Sequence, residues 1–506
     1  MPLIYLVAGE QSGDVLGGRL MAALRARRPD LAFGGIGGGF MRAQGLRSLF
    51  PLEELALMGF VEVLPRLRLL RRRLAETVAD IAARRPDVLV TIDSPGFALR
   101  LLRAVAPLGI KRVHYVAPQV WAWRESRVRR YPGLWDRLLC LLPFEPEFFA
   151  RHGLPATFVG HPVLESGADA GDPARFRTAH GLPPSARIVT IMPGSRRTEI
   201  ARLLPILGET LHRLSGPAIV PAVPLAGPVA DTVRTAAQSW PVRPLLISER
   251  QDKNDAFAAS IAALTKSGTS TLELALAGVP MLVTYRVNPV SGAILRRLAT
   301  VRYAALVNLL HSGWGREAGP PLVPELLQDE CKPEILSRAL AALLEDRSAA
   351  AAQRAGFREV LAKLRPPGGS TPSQAAAEAV LDLLEQPWGT HPPARCFDRC
   401  LYAKSGRQGS AARRGIDRHG GSIQHGGDKG GLLGLQGVVL LPGRRFRSKA
   451  RQATNRLAPA TCHHAQPTGG EIDGDAASRA ENPHPPLYAR RHPAGADCRH
   501  GAGGEA

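Results

Sequence analysis

Short apolar runs of strand length alternate with helical stripes along most of this 506-residue chain, and that alternation leaves few folds open. A first set of runs falls at Leu3–Ala8, Val88–Asp93, Arg112–Ala117 and Arg137–Leu142. A second falls at Arg187–Met192, Ala218–Val223, Pro244–Ser248, Ile261–Thr265 and Pro280–Tyr285. Between them apolar residues recur at helical spacing, as at Leu67, Leu70, Leu74, Val78 and Ile81. Strands alternating with helices build parallel sheets covered by helices on both faces. The stretch ESGADAGDP (165–173) has no apolar periodicity and separates the two sets. The reading is an α/β chain of two doubly wound parallel-sheet domains, 1–165 and 174–366, with a central cleft. A terminal helix at 370–387 follows the breaker-rich LRPPGGSTPSQ.

After Trp388 the texture changes. Residues 388–506 hold 20 Gly and 9 Pro and lose helical periodicity, so they read as a disordered or out-of-frame tail. The chain carries a formal charge of +21, and the tail supplies +9 of it, from 18 Lys and Arg against 9 Asp and Glu. A basic balance favours acidic partners: nucleic acid, anionic lipid or a phosphorylated substrate. No RRM, KH or cold-shock signature supports the first. Four of the six cysteines lie in the tail, leaving Cys140 and Cys331 in the main body. That is no disulfide framework and fits a reducing cytosol. CFDRC with His463 and His464 could be read as a zinc site but matches no standard ligand spacing. No signal-peptide pattern is visible, and no apolar run reaches the roughly 20 residues that span a bilayer.

Five stretches could carry chemistry, and each also has a plain structural reading. AGEQSGD (8–14) leaves the first strand through a glycine into a helix, where ligands of open α/β sheets sit. VTIDSPGF (90–97) delivers Asp93 to a strand end, either as a proton acceptor or as a helix cap. VAPQVWAWRESRVRR (116–130) sets Trp121 and Trp123 beside Arg124, Arg127, Arg129 and Arg130. Aromatic plates next to arginines suit a sugar beside a phosphate, or else form a core pair and a solvated basic face. IMPGSRRTEI (191–200) and TKSGTSTLELALAGVPMLVTYR (265–286) are turns opening helices, whose free N–H groups and arginines can cradle a diphosphate. The first is not a Walker A loop; in the second the hydroxyls of Ser267, Thr269, Ser270 and Thr271 join the backbone amides. In the second, Glu273 can accept both hydroxyls of a ribose, or can simply be an exposed helix residue. MGFVEVLPRLRLLRRRL (58–74) is apolar and basic, suited to an anionic membrane surface or to ordinary packing with a solvated face.

Taken in order from residue 2 to about 385, these stretches resemble the lipid-A-disaccharide synthase family. AGEQSGD, MGFVEVL, IDSPGF, HYVAPQVWAWR, LPFEPEFF, FVGHPV, MPGSRRTEI, SGTSTLELAL, YRVNP, LVNLL and VPELLQDEC carry the likeness. The resemblance implies a GT-B arrangement of two Rossmann-like domains and an inverting, metal-free glycosyl transfer without cofactor. UDP-2,3-diacylglucosamine would be the donor and 2,3-diacylglucosamine 1-phosphate the acceptor, joined β-1',6. Carried over by position, Asp93 is the general base for the acceptor 6-hydroxyl. Arg196, Glu199, Ser267, Gly268, Thr269, Glu273, Tyr285, Arg286, Asn308, Glu325 and Leu326 form the donor shell. Glu10, Ser12, Trp121, Trp123 and Arg124 fall on the acceptor side. Met58, Phe60, Val61, Val63, Leu64, Leu67, Arg68, Arg71 and Arg72 become a membrane dock, placing the enzyme in the cytoplasm on the inner face of the inner membrane. The implied partners are the two acylated sugars and that anionic surface, with a homodimer open and no nucleic acid.

The family more often reads DAPDFN where this chain has DSPGFA, so Gly96 and Ala98 replace an acid and an amide. Gly9-Glu10-Gln11 stands where Gly-Glu-Ala is usual. Another GT-B enzyme, an epimerase or an N-acetylglucosaminyltransferase, is the nearest alternative. A non-catalytic basic RNA- or membrane-binding protein is the one from a different class.

Overall fold

The computed structural model describes residues 1–55, 63–214 and 219–387. The tail at 388–506 and the docking candidates Met58, Phe60 and Val61 lie outside the described residues.

The first half contains strands β1 (Leu3–Ala8), β2 (Ala32–Ile36), β3 (Val88–Ile92), β4 (Lys111–Tyr115), β5 (Arg137–Cys140) and β6 (Ala156–Phe158). They form one sheet in the order β2-β1-β3-β4-β5-β6, with every neighbouring pair parallel. The second half contains β7 (Arg187–Met192), β8 (Ile219–Pro224), β9 (Leu245–Ile247), β10 (Ser260–Lys266), β11 (Met281–Tyr285) and β12 (Glu325–Leu327). Its order is β12-β11-β10-β7-β8-β9, again all parallel. These are two doubly wound α/β sheets of GT-B type. The central strands β1, β3 and β4 are almost wholly buried, as sheets sandwiched between helices require.

Each sheet reverses its winding once. In the first, the chain builds outward from β1 to β2 and then returns to the other side of β1 with β3. In the second it builds from β7 through β8 to β9 and returns with β10. The loops leaving the two strands at such a reversal diverge, and the crevice between them is where an open sheet takes its ligand. In this chain those loops are 9–12 and 93–96 in one half, 193–196 and 267–269 in the other.

Sequence periodicity misses three strands: β2, β6 and β12. All three are sheet edges. β6 (Ala-Thr-Phe) and β12 (Glu-Leu-Leu) have three residues each and mix polar with apolar side chains, unlike the equally short but wholly apolar β9 (Leu-Leu-Ile). β2 reads Ala-Phe-Gly-Gly-Ile, and glycine weakens a strand signal. Gly35 is glycine for a reason: a Cβ there would lie 1.8 Å from the Leu6 carbonyl oxygen.

The two halves share a core that runs from the first sheet to Leu272, Met281, Phe357 and Val380. The interdomain stretch is pinned rather than loose. Arg19 donates to the carbonyls of Pro162 (3.1 Å) and Glu165 (2.7 Å), and Arg250 to that of Ser166 (2.7 Å). The last described helix, Pro372–Glu385, opens on a Thr371–Gln374 capping box and packs along the helix Gln11–Arg27 of the first half. Lys111 reaches from β4 to the carbonyl of Leu384 (2.9 Å), a cation at the negative end of that helix. Among the described residues no helix is long and apolar enough to cross a membrane.

Candidate functional site

Glu10 and Asp93 leave the adjacent strands β1 and β3 at the winding reversal of the first sheet. The approach of the two loops is set by Gly9, where a Cβ would stand 2.2 Å from Ser94 Cβ. Asp93 and Ser94 both hold positive φ, 52° and 46°, which non-glycine residues seldom adopt. Such strain persists only where surrounding contacts enforce it, and it collects at functional sites. Here the Asp93 N–H is tied to the Tyr115 carbonyl (2.8 Å). Ser94, not Asp93, takes the cap position of the helix Pro95–Val105. Asp93 is half-buried, and desolvation raises its carboxyl above the usual range; the Ser94 N–H and the Arg196 guanidinium pull the other way. Glu10 is raised by desolvation and then by Asp93, and is likewise drawn down by Arg196. Two carboxylates of the first half therefore share the field of one arginine of the second. Gly9→Ala is expected to displace Ser94 and Asp93 and to destabilise the fold by about 1–3 kcal/mol, the cost of forcing an extra methyl into a packed contact; urea unfolding checks it.

Across from them, Arg196 caps the helix Arg197–His212 after Gly194, whose φ is 119°. Glu199, one turn on, is buried. Its Oε1 accepts from Tyr285 Oη (3.2 Å) and Arg196 (3.3 Å), while Oε2 has only the Lys266 ammonium at 3.6 Å and no hydrogen bond. Burial, followed by the Glu199 charge, pushes the Tyr285 phenol well above its ordinary range. On the neighbouring loop, Gly268 holds φ 135°, Ser267 Oγ donates to the Ala304 carbonyl (2.7 Å), and Thr269 is exposed. Glu273 is half-buried and ion-paired with Lys253 at 3.0 Å. Arg286 is exposed.

Of three further donor-shell candidates, Glu325 and Leu326 are half-buried and Asn308 lies deeper. Asn308 is fully buried and its side chain is saturated. Nδ2 donates to Val323 O (2.9 Å) and Glu325 Oε1 (2.8 Å), and Oδ1 accepts from the N–H groups of Leu322 and Val323 (2.9 Å each). Glu325, raised by burial, accepts from the N–H groups of Ala304 (2.8 Å) and Ala305 (3.0 Å). Leu326 packs into the second core, and its carbonyl accepts from Thr284 Oγ1 (2.9 Å). Asn308 thereby orients Glu325, which holds the 304–305 loop, and the Ala304 carbonyl in turn accepts from Ser267.

The tryptophans separate. Trp121, an acceptor-side candidate, is a core residue, 2% exposed. Its Nε1 donates to Glu145 (3.1 Å), and its ring meets Phe144 and Trp314 edge-on. Trp314 comes from the second half and stacks on Phe144, so this aromatic cluster is a joint between halves, reinforced by Thr300 N–H donating to Ala122 O (2.9 Å). Trp123 stays half-exposed, with the Arg124 guanidinium 4.4 Å and that of Arg127 5.9 Å from its ring. Ser12 is exposed at the start of its helix. On the helix Val63–Arg84, which includes Val63 and Leu64, Leu67, Arg68, Arg71 and Arg72 are exposed, whereas Leu70, Leu74 and Val78 pack inward. Arg73 also turns inward: it forks onto Glu54 (2.6 and 2.8 Å), bonds Glu76 (2.6 Å) and lies over Phe50. Among the described residues no three His, Cys, Asp or Glu side chains gather in a way that could hold a metal.

The profile of one family, Lipid-A-disaccharide synthetase, matches residues 4–379, from the first strand to the last described helix. The chain belongs to the lipid-A-disaccharide synthetase family. Lipid-A-disaccharide synthases of Granulibacter bethesdensis and Gluconobacter oxydans are each 56% identical to it, over 76% of this chain and 99% and 91% of theirs. That of Pseudomonas aeruginosa is 41% identical over 76% of this chain and 98% of its own. Among solved structures, a Neisseria meningitidis UDP-GlcNAc 2-epimerase bound to UDP-GlcNAc superposes with a TM-score of 0.51 at 12% identity, over 76% of this chain and all of its own. A kitacinnamycin glycosyltransferase gives 0.50 at 16%, over the same share of this chain and all of its own. At such identities those two speak for the fold alone. Membership of the lipid-A-disaccharide synthetase family makes the chain a glycosyltransferase of lipid A assembly. Sequence reasoning missed Lys266 and Trp314; a lysine ending the apolar run IAAL-T-K just before a glycine turn was the available signal for the first.

Proposed function

We propose that the enzyme moves 2,3-diacylglucosamine from UDP to the 6-hydroxyl of 2,3-diacylglucosamine 1-phosphate, with inversion. The observation that carries this is the family match over residues 4–379, together with the placing of Asp93 at positive φ on the loop that leaves β3, packed against Gly9 of the loop that leaves β1. The acceptor oxygen attacks the anomeric carbon while Asp93 takes its proton, and the bond to UDP breaks on the opposite side. Arg196 and the backbone N–H groups at 194–197 hold the diphosphate, a role that needs fixed donors aimed at developing charge. Glu273 takes the ribose hydroxyls after giving up part of its contact with Lys253. Ser267, Thr269, Tyr285 and Arg286 complete the donor side; Glu10, Ser12, Trp123 and Arg124 face the acceptor, with Arg124 suited to its phosphate. The exposed Leu67, Arg68, Arg71 and Arg72 seat the enzyme on the anionic inner face of the inner membrane, where both acylated substrates reside.

Mass spectrometry of the reaction with both sugars in detergent tests the proposal. A tetraacyl disaccharide 1-phosphate and equimolar UDP are expected. Isomerisation of a UDP-sugar with no acceptor would instead favour an epimerase.

A further inference from the structure

We propose that Lys266 is a second diphosphate-holding cation of the donor site, seated between the two glycine turns at the winding reversal of the second sheet. The inference rests on the UDP-sugar reading and adds a residue to it.

Lys266 is the last residue of β10, and β10 lies beside β7 with Thr265 opposite Met192. The loops that leave these two strands carry Gly194 and Gly268, and the lysine side chain passes between them. A Cβ on Gly194 would lie 3.4 Å from Lys266 Cγ and 3.7 Å from Cδ. A Cβ on Gly268 would lie 3.0 Å from Nζ itself. Both glycines hold positive φ, 119° and 135°, so their loops fold over the stem and bring the ammonium up to the turn that opens the next helix. Without side chains on either glycine, a ligand phosphate can approach the backbone and the ammonium together.

Arg196 and Lys266 flank the single carboxylate of Glu199, at 3.3 and 3.6 Å. The Lys266 side chain is only 17% exposed. Desolvation and Arg196 both disfavour its charge, while Glu199 favours it. The second contact is longer than a hydrogen bond, and Glu199 Oε2 accepts none. An incoming diphosphate would give the buried Lys266 ammonium the close anionic partner that Glu199, at 3.6 Å, does not supply. During transfer the bond from the acceptor 6-oxygen to the anomeric carbon forms, and the proton goes to Asp93. The bond from that carbon to the β-phosphate oxygen breaks, its electron pair passing to the diphosphate, where a fixed ammonium stabilises it.

Calorimetric titration of the full chain with UDP and with uridine, for the wild type, Lys266→Met and Lys266→Arg, tests this. Methionine keeps the stem and removes the charge. Loss of one charge-assisted contact is expected to weaken UDP binding by roughly 10- to 100-fold. Uridine affinity should stay within about twofold, and the dependence of UDP binding on salt should flatten. Lys266→Arg should keep most of the UDP affinity. Unchanged UDP affinity in Lys266→Met overturns the inference, as does an equal loss for uridine and UDP, which would make the lysine merely structural. A wild-type protein that binds no UDP overturns the donor-site reading itself, and the lysine's role with it.

Discussion

Asp93→Asn is expected to lower kcat by about 100- to 10,000-fold, the range a positioned general base supplies, while UDP affinity stays within about twofold. The side chain lies in the first half, and the nucleotide is assigned to the second. Asparagine tolerates the positive φ of 52° at this position, so the turn should survive. Stability gives an independent sign. The folded-state pKa of Asp93 is raised by desolvation. Its contribution to stability is therefore fully present below the unfolded pKa and is lost as pH rises through the folded one. At neutral pH the ionised carboxylate costs stability, so the neutral asparagine should leave the melting temperature unchanged or higher. A fall in both activity and melting temperature would mark a folding defect instead. The same raised pKa predicts that kcat/KM of the wild type declines, as pH falls, at a pH above the ordinary aspartate range. The base is active only when ionised, and this acid limb should vanish in the variant.

Trp121→Ala is expected to cost about 3–5 kcal/mol, the range for truncating a large buried aromatic. The substitution opens a hole where Trp121 meets Phe144 and Trp314 and leaves the buried Glu145 without one of its three donors. Because Trp314 belongs to the second half, the loss also loosens the joint between halves. Trp123→Ala, two residues away, should change stability by less than about 1 kcal/mol, as half-exposed side chains do, and should instead raise KM for the acceptor. Urea unfolding of the two variants, with kinetics on the second, checks the contrast. Equal destabilisation by both would contradict the separation of roles.

The alternating pattern made the architecture legible, because buried parallel strands read as continuous apolar runs and the central ones did so here. Three of the four edge strands were not legible: β6 and β12 are short and weakly patterned and β2 carries two glycines, whereas β9, equally short, showed through the apolar run Leu245–Ile247. The loop residues Glu10, Asp93, Arg196 and Gly268 were visible as turn chemistry at strand ends. What the sequence could not show was which strands reverse the winding, and hence that these loops pair as 9–12 with 93–96 and 193–196 with 267–269. Nor could it separate Trp121 from Trp123, since burial depends on Phe144 and on Trp314, nearly two hundred residues along. Asn308 entered the donor shell only through the family likeness of LVNLL; the internal bonds of its side chain to Leu322, Val323 and Glu325 depend on packing that the sequence does not display.

The central claim is that a carboxylate of one half removes a proton while UDP leaves from the other half on the opposite side of the sugar. The anomeric configuration of the disaccharide, read by NMR coupling constants from an α-configured UDP donor, tests it directly. A β linkage is the predicted result. An α linkage, or release of the sugar to water at an undiminished rate in Asp93→Asn, would contradict it.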